Sequence, residues 1–191
     1  MIPLLNARRI VAGLLLTAGL LAMGYAAYVV IDATAYQAIE QRRFEHARRD
    51  VGAAPALVDG DSIGEIQIPR IGLTAIVVQG ESPAILQRAV GHLAGTALPG
   101  ESGNVVLAGH RDTFFRPLKN VRAGDAITLR TRRGDFEYVV ESTAVVRPSN
   151  VDVIQPTTRR TLTLITCFPF SYLGPAPDRF IVRARDTGEP R

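Results

Sequence analysis

From Ile10 to Ile31 the chain reads IVAGLLLTAGLLAMGYAAYVVI, with no charged residue and no polar stripe at helical spacing. A helix apolar on every side is buried in a large core or in a bilayer. At about 1.5 Å per residue this one covers roughly 30 Å, the thickness of the hydrocarbon layer. Arg8 and Arg9 precede it and Asp32 follows. The positive flank is expected to stay in the cytoplasm, so the rest of the chain is exported. Tyr25 and Tyr28 suit the outer interface. A cleaved signal peptide has a shorter apolar core, about 7 to 15 residues, although Ala33, Thr34 and Ala35 offer a small-residue cleavage site. The pattern predicts a cytoplasmic tip and a single transmembrane helix over 1–31.

Asp32 to Arg49 is rich in Ala, Gln, Glu and Arg and free of Gly and Pro, which predicts a continuing helix, with Glu45 and Arg49 as an i, i+4 pair. Asp50 to Asp61 (DVGAAPALVDGD) reads as a linker. Residues 32–61 are thus expected to form a helical stalk and linker.

Beyond Ser62 the apolar period shortens to two. Ile66 and Ile68 alternate with polar neighbours, and Pro69 and Gly72 mark a turn before LTAIVVQ (73–79). Ser82 caps a short helix with Pro83 in its first position. ALPGESGN is turn-rich and leads into the buried strand NVVLA (104–108); a helical turn is expected over 113–120. Ile127 and Leu129 face inward on 125–131, and Arg132 to Gly134 form a hairpin turn before a long strand over 136–146. Further strands are expected over 161–167 and 179–185. Seven or eight short strands with little helix favour an all-β domain, a closed or nearly closed barrel over 62–191.

Charge narrows the possible partners. The chain has 22 basic and 18 acidic residues, and setting aside Arg8 and Arg9 leaves 20 against 18. That balance, without a dense basic run, argues against nucleic acid. A glycine-rich phosphate loop and paired metal-ligand motifs are both missing, so no cofactor and no metal are expected.

Cys167 is the one cysteine, at the end of the strand TLTLITCFPF. A lone cysteine is commonly a small buried hydrophobe. In an exported domain a leftover thiol points instead to intermolecular pairing or a reactive nucleophile. A nucleophilic thiol needs a neighbour that favours the thiolate, and acyl transfer needs a donor for the oxyanion. His110 follows a buried strand in VVLAGHRD; His92 follows a glycine after the short helix; His46 lies in the stalk. Arg179 opens the last strand.

Thr163-Leu164-Ile165-Thr166-Cys167, with His110 upstream and Arg179 downstream, resembles the sortase family and its TLxTC signature. GHLAGTALPGESGNVVLAGHRDTFF is most similar to the class D branch. The resemblance implies an eight-stranded barrel and a cysteine transpeptidase acting on proteins with a carboxy-terminal sorting signal similar to Leu-Pro-x-Thr-Gly. It implies cleavage after the Thr, a thioacyl intermediate on Cys167, and transfer to an amine of the cell envelope. Cys167, His110 and Arg179 would be catalytic; Thr166, and from its position His92, are candidate substrate contacts. The lipid bilayer would be a further partner, with the catalytic domain outside the cytoplasm.

The rival enzyme reading, an L,D-transpeptidase, has its cysteine after a Ser-His-Gly type sequence, whereas Ile-Thr precedes Cys167. Papain-like proteases place Cys before His, the reverse of the order here. A non-enzymatic reading also exists: a membrane-anchored barrel that binds envelope proteins, with Cys167 in its core.

Overall fold

The computed structural model describes residues 2–47, 57–172 and 174–188. It divides into two compact units, Met1–Tyr36 and Gln37–Arg191. The first helix, α1, runs from Ile2 to Ala47. In the first unit its apolar side chains point outward: Leu14, Leu21, Val30 and Ile31 each leave more than half of their surface uncovered. Such exposure is unfavourable in water and natural in lipid. Among the described residues this is the one helix long and apolar enough to cross a membrane. The Glu45–Arg49 pair and most of the expected linker fall outside the described residues.

The second unit begins on the same helix. The Gln37 amide accepts a hydrogen bond from the Ile76 backbone N–H (2.8 Å) and donates to the Arg88 carbonyl (2.7 Å). It thereby supplies partners for main-chain groups that would otherwise need water. Phe44 is buried, and His46 is exposed.

Eight strands close the barrel: β1 (Ser62–Ile68), β2 (Leu73–Gln79), β3 (Val90–His92), β4 (Asn104–Ala108), β5 (Ala126–Thr131), β6 (Gly134–Val146), β7 (Thr161–Phe168) and β8 (Asp178–Asp186). Their order around the barrel is β1-β2-β3-β4-β7-β8-β6-β5. Closure removes the exposed edges that a sheet of this size would otherwise present. The β2–β3 and β4–β7 pairs are parallel and the other pairs antiparallel. The core is filled from alternate positions, among them Ile66, Ile68, Leu73, Val105, Leu107, Ile127, Leu129, Leu162, Leu164 and Val182.

Most expected elements appear within a residue or two. The short helix, α2 (Pro83–Leu86), is capped by the Ser82 side chain, which accepts from the Ile85 N–H. β3 was not expected. Only three residues long, it carries no readable alternation, and pairing with β2 and β4 creates it. Three short 3-10 turns complete the unit, at Pro69–Ile71, Arg116–Asn120 and Val151–Ile154.

Candidate active site

Strand polarity gathers the chemistry-bearing residues on one rim. β4 and β7 run in parallel and end there, and β8 starts there as the antiparallel neighbour of β7. Along β7, Leu162 and Leu164 enter the core, so Thr161, Thr163, Ile165 and Cys167 share the outer face. Cys167 is directly opposite Arg179 in the β7–β8 register, and the pair shares that face. The thiol is free and partly exposed. One Nη of Arg179 donates to the carbonyls of Asp178 (3.0 Å) and Ala176 (3.4 Å), which holds the guanidinium at the base of the β7–β8 loop.

His110 arrives from β4. In that register Ala108 lies beside Ile165. The Gly109 N–H continues the ladder by donating to the Ile165 carbonyl (3.1 Å), and the Thr166 hydroxyl donates to the Gly109 carbonyl (2.7 Å). One further residue brings the chain to His110, on the rim where β7 ends. Thr166 is buried, so its hydroxyl serves the chain before His110 rather than the open groove. Gly109 is needed for room: a Cβ there would lie 2.9 Å from ring atoms of the buried Phe115. The segment after His110 is braced at its far end. Asp125 accepts from Arg70 Nη2 (2.6 Å) and from the Arg122 N–H (2.9 Å), and Arg70 Nη2 also donates to the Asn120 carbonyl (2.6 Å). Hydrogen bonding to Arg70 holds the Asp125 carboxyl below the usual range.

Arg111 and an aromatic cluster also shape this rim, and neither had a signal in the sequence. Arg111 Nη2 donates to the carbonyls of Tyr172 (2.6 Å) and Gly174 (2.9 Å), with the guanidinium 5.9 Å from the Tyr172 ring centroid. It ties the residue after His110 to the loop between Cys167 and Arg179. Phe168, Phe170 and Phe180 form an aromatic cluster at the base of that loop, with centroids 5.3–6.2 Å apart. Beside Arg179, a groove of about 140 Å³ is lined by Ile165 and Ile181 of the sheet and by Val151, Val153 and Ile154 of the β6–β7 loop.

His92 is elsewhere. β3 runs antiparallel to β4, so it ends on the opposite rim. Its Nδ1 is 2.9 Å from Gln79 Oε1; its Nε2 is 2.9 Å from the Ala97 carbonyl and 3.1 Å from Thr96 Oγ1. Burial lowers its pKa, and both nitrogens are occupied by the fold. The position of His92 after a glycine suggested a substrate contact, but the structure separates it from Cys167. It lines a larger cavity of about 640 Å³ on its own rim, with Gln79, Ser62 and Arg133. Among the described residues no cluster of three His, Cys, Asp or Glu is arranged to hold a metal ion.

The Sortase domain family model matches residues 66–187, nearly the whole barrel. Sortase D of Bacillus subtilis is 36% identical over 124 residues, 64% of this chain and 63% of that protein. Sortase SrtE1 of Streptomyces coelicolor is 34% identical over 58% of this chain and 37% of its own length. The matched segments thus span less than two thirds of these curated relatives. Among solved structures, a Clostridium perfringens Sortase D5 transpeptidase aligns with a TM-score of 0.69 at 28% identity, covering 82% of this chain and 99% of that one. Sortase A from Corynebacterium diphtheriae aligns with a TM-score of 0.63 at 31% identity, covering 68% of this chain and 62% of that one.

Proposed function

The chain belongs to the sortase family, and from that premise we propose that it is a membrane-anchored cysteine transpeptidase, most similar to class D, with Cys167 as nucleophile. The observation that carries this reading is the placement of Cys167, Arg179 and the chain leading to His110 on one outer rim of the barrel.

In the proposed reaction the Cys167 thiolate attacks the Thr carbonyl carbon of an LPxTG-like sorting signal. Negative charge develops on the carbonyl oxygen, and the Arg179 guanidinium donates to it. The carbon–nitrogen bond breaks, His110 gives its proton to the leaving amine, and a thioester remains on Cys167. An acceptor amine of the cell envelope then attacks the thioester, His110 takes up its proton, and the sulfur leaves as thiolate. Thr166 acts on this chemistry through Gly109, as a positioning residue and not as a substrate contact.

The groove beside Arg179 is suited to an extended apolar peptide, since aliphatic side chains line both of its walls. The division follows as 1–31 for the cytoplasmic tip and anchor, 32–61 for the stalk and linker, and 62–191 for the catalytic domain, with the end of α1 docked on the barrel. Arg8 and Arg9 on the inner side would leave the barrel outside the cytoplasm. Confining enzyme and anchored substrates to one surface raises their effective concentration. Intact-mass analysis after exposure to sorting-signal peptides tests the reading. An adduct of the acyl fragment on Cys167 that disappears on adding an amine is expected. An unmodified, unreactive thiol would favour the non-enzymatic barrel.

A further inference from the structure

We propose that Asn104, at the start of β4, is a positioning residue that sets the shape of the peptide groove, an inference that rests on the transpeptidase reading above. Asn104 is 2% exposed and lies on the same outer sheet surface as Thr163 and Arg183. Its Nδ2 donates to two carbonyls of the β6–β7 loop, Val153 (3.1 Å) and Gln155 (3.2 Å). Its Oδ1 accepts from the Thr163 hydroxyl (2.7 Å) and, more weakly, from the Thr161 hydroxyl (3.4 Å). Arg183 Nη2 reaches the Val153 carbonyl as well (3.2 Å).

This chemistry calls for an amide. Two loop carbonyls require donors and the Thr163 hydroxyl requires an acceptor, and the asparagine side chain presents both from one planar group. A carboxylate in its place would face the two carbonyls with acceptors only. The two carbonyls fix which way the amide points, because they can only accept, and the Thr163 hydroxyl then donates to the Oδ1 on the other side. The first threonine of the TLITC segment therefore reaches the β6–β7 loop through Asn104, as the second reaches His110 through Gly109.

The tether matters for binding because of what lies next to it. Val153 is held by its carbonyl, and Val151, Val153 and Ile154 form the loop wall of the groove opposite Ile165 and Ile181. Without the amide, the Gln155 carbonyl loses its donor and Gln155 keeps only its own N–H bond to the Asp152 carbonyl (3.3 Å), while Arg183 alone reaches the Val153 carbonyl. The groove wall would then have to be ordered when the peptide binds, which weakens binding while leaving the reacting groups in place. Such a loss raises KM with little change in kcat.

Two variants of the full chain test this: Asn104→Asp, which removes the donors, and Thr163→Val, which removes the near donor to Oδ1 at nearly constant volume. If Asn104→Asp does not fold, Thr163→Val answers alone. The measurements are hydrogen exchange of amides 151–155 in the free protein, steady-state cleavage of an LPxTG-like peptide, and the alkylation rate of Cys167 by iodoacetamide. Expected are faster exchange at 151–155, a KM about tenfold higher, kcat within about twofold, and an unchanged alkylation rate. Unaltered exchange in a folded variant, or a fall in kcat at constant KM, would overturn the proposal. If the wild-type chain acylates with no signal peptide, the transpeptidase reading falls. In that case faster exchange still supports the tether, and unaltered exchange still removes it.

Discussion

Cys167 and Arg179 are direct cross-strand partners at the rim where β7 ends and β8 begins. A guanidinium in that position can donate two parallel hydrogen bonds to charge developing one residue away, and it cannot lose its proton. Arg179→Ala should therefore lower kcat by about 10²–10³, in the range found when an oxyanion donor is removed. Arg179→Lys should recover only part of that loss, because an ammonium keeps the charge without the planar fork. Single-turnover acylation separates the two variants. Turnover near wild type in Arg179→Ala would refute the role.

His110→Ala should lower kcat by about 10²–10⁴, the usual span for a general acid–base group. Imidazole added to the variant should restore part of the rate, since the missing group acts by proton transfer. A melting temperature within a few degrees of wild type would show that the fold has survived. Loss of activity through unfolding alone would count against the assignment.

The Thr166 hydroxyl holds the Gly109 carbonyl, and Gly109 leaves room for Phe115. Thr166→Val leaves a buried carbonyl short of a donor, at a cost of about 1–3 kcal/mol. Gly109→Ala forces a Cβ against a buried ring, at a similar cost. Both should also depress kcat/KM and alter its pH profile, because His110 follows directly. Denaturant unfolding and pH–rate curves read the two effects separately. A stability loss with an unchanged profile would make these residues purely structural.

Arg111 joins the chain after His110 to the β7–β8 loop through two carbonyls. Arg111→Ala should speed hydrogen exchange and protease cleavage over 170–177, with melting temperature shifted by only a few degrees. Peptide turnover should fall with it, since that loop connects Cys167 to Arg179. Unchanged exchange over the loop would contradict the clamp.

His92 gives the domain a pH response unrelated to catalysis. Burial lowers its pKa below the ordinary 6.5. The unfolded chain therefore binds the proton more readily, and stability rises with pH in that window. The contribution is complete above about pH 6.5 and is lost as pH falls toward the folded value. His92→Gln should flatten the dependence of unfolding free energy on pH just below 6.5. Denaturant midpoints across that range measure it, and an unaltered slope would refute the idea.

Local features of the chain already carried much of the picture. The uncharged run from Ile10 to Ile31 needs no partner to reveal itself, because its length matches a bilayer. Alternation over 125–131 placed Ile127 and Leu129 inside, since strand geometry alone sends successive side chains to opposite faces. Its being the one cysteine, with the TLITC context, singled out Cys167, and the position of Arg179 at a strand start made it a candidate partner. Other features depended on residues far apart in the chain. His92 was the lesser candidate beside His110, and strand direction sends the two histidines to opposite rims. Asn104 and Arg111 had no signal, because what they do is set by carbonyls some 50–60 positions away. The sequence by itself determined the membrane-length apolar helix, seven of the eight strands and the candidate nucleophile, all consequences of local period and side-chain chemistry. Only the closed barrel decided which histidine shares the rim with Cys167 and which side chains hold the loops around it, because register and strand polarity exist only once the sheet has formed.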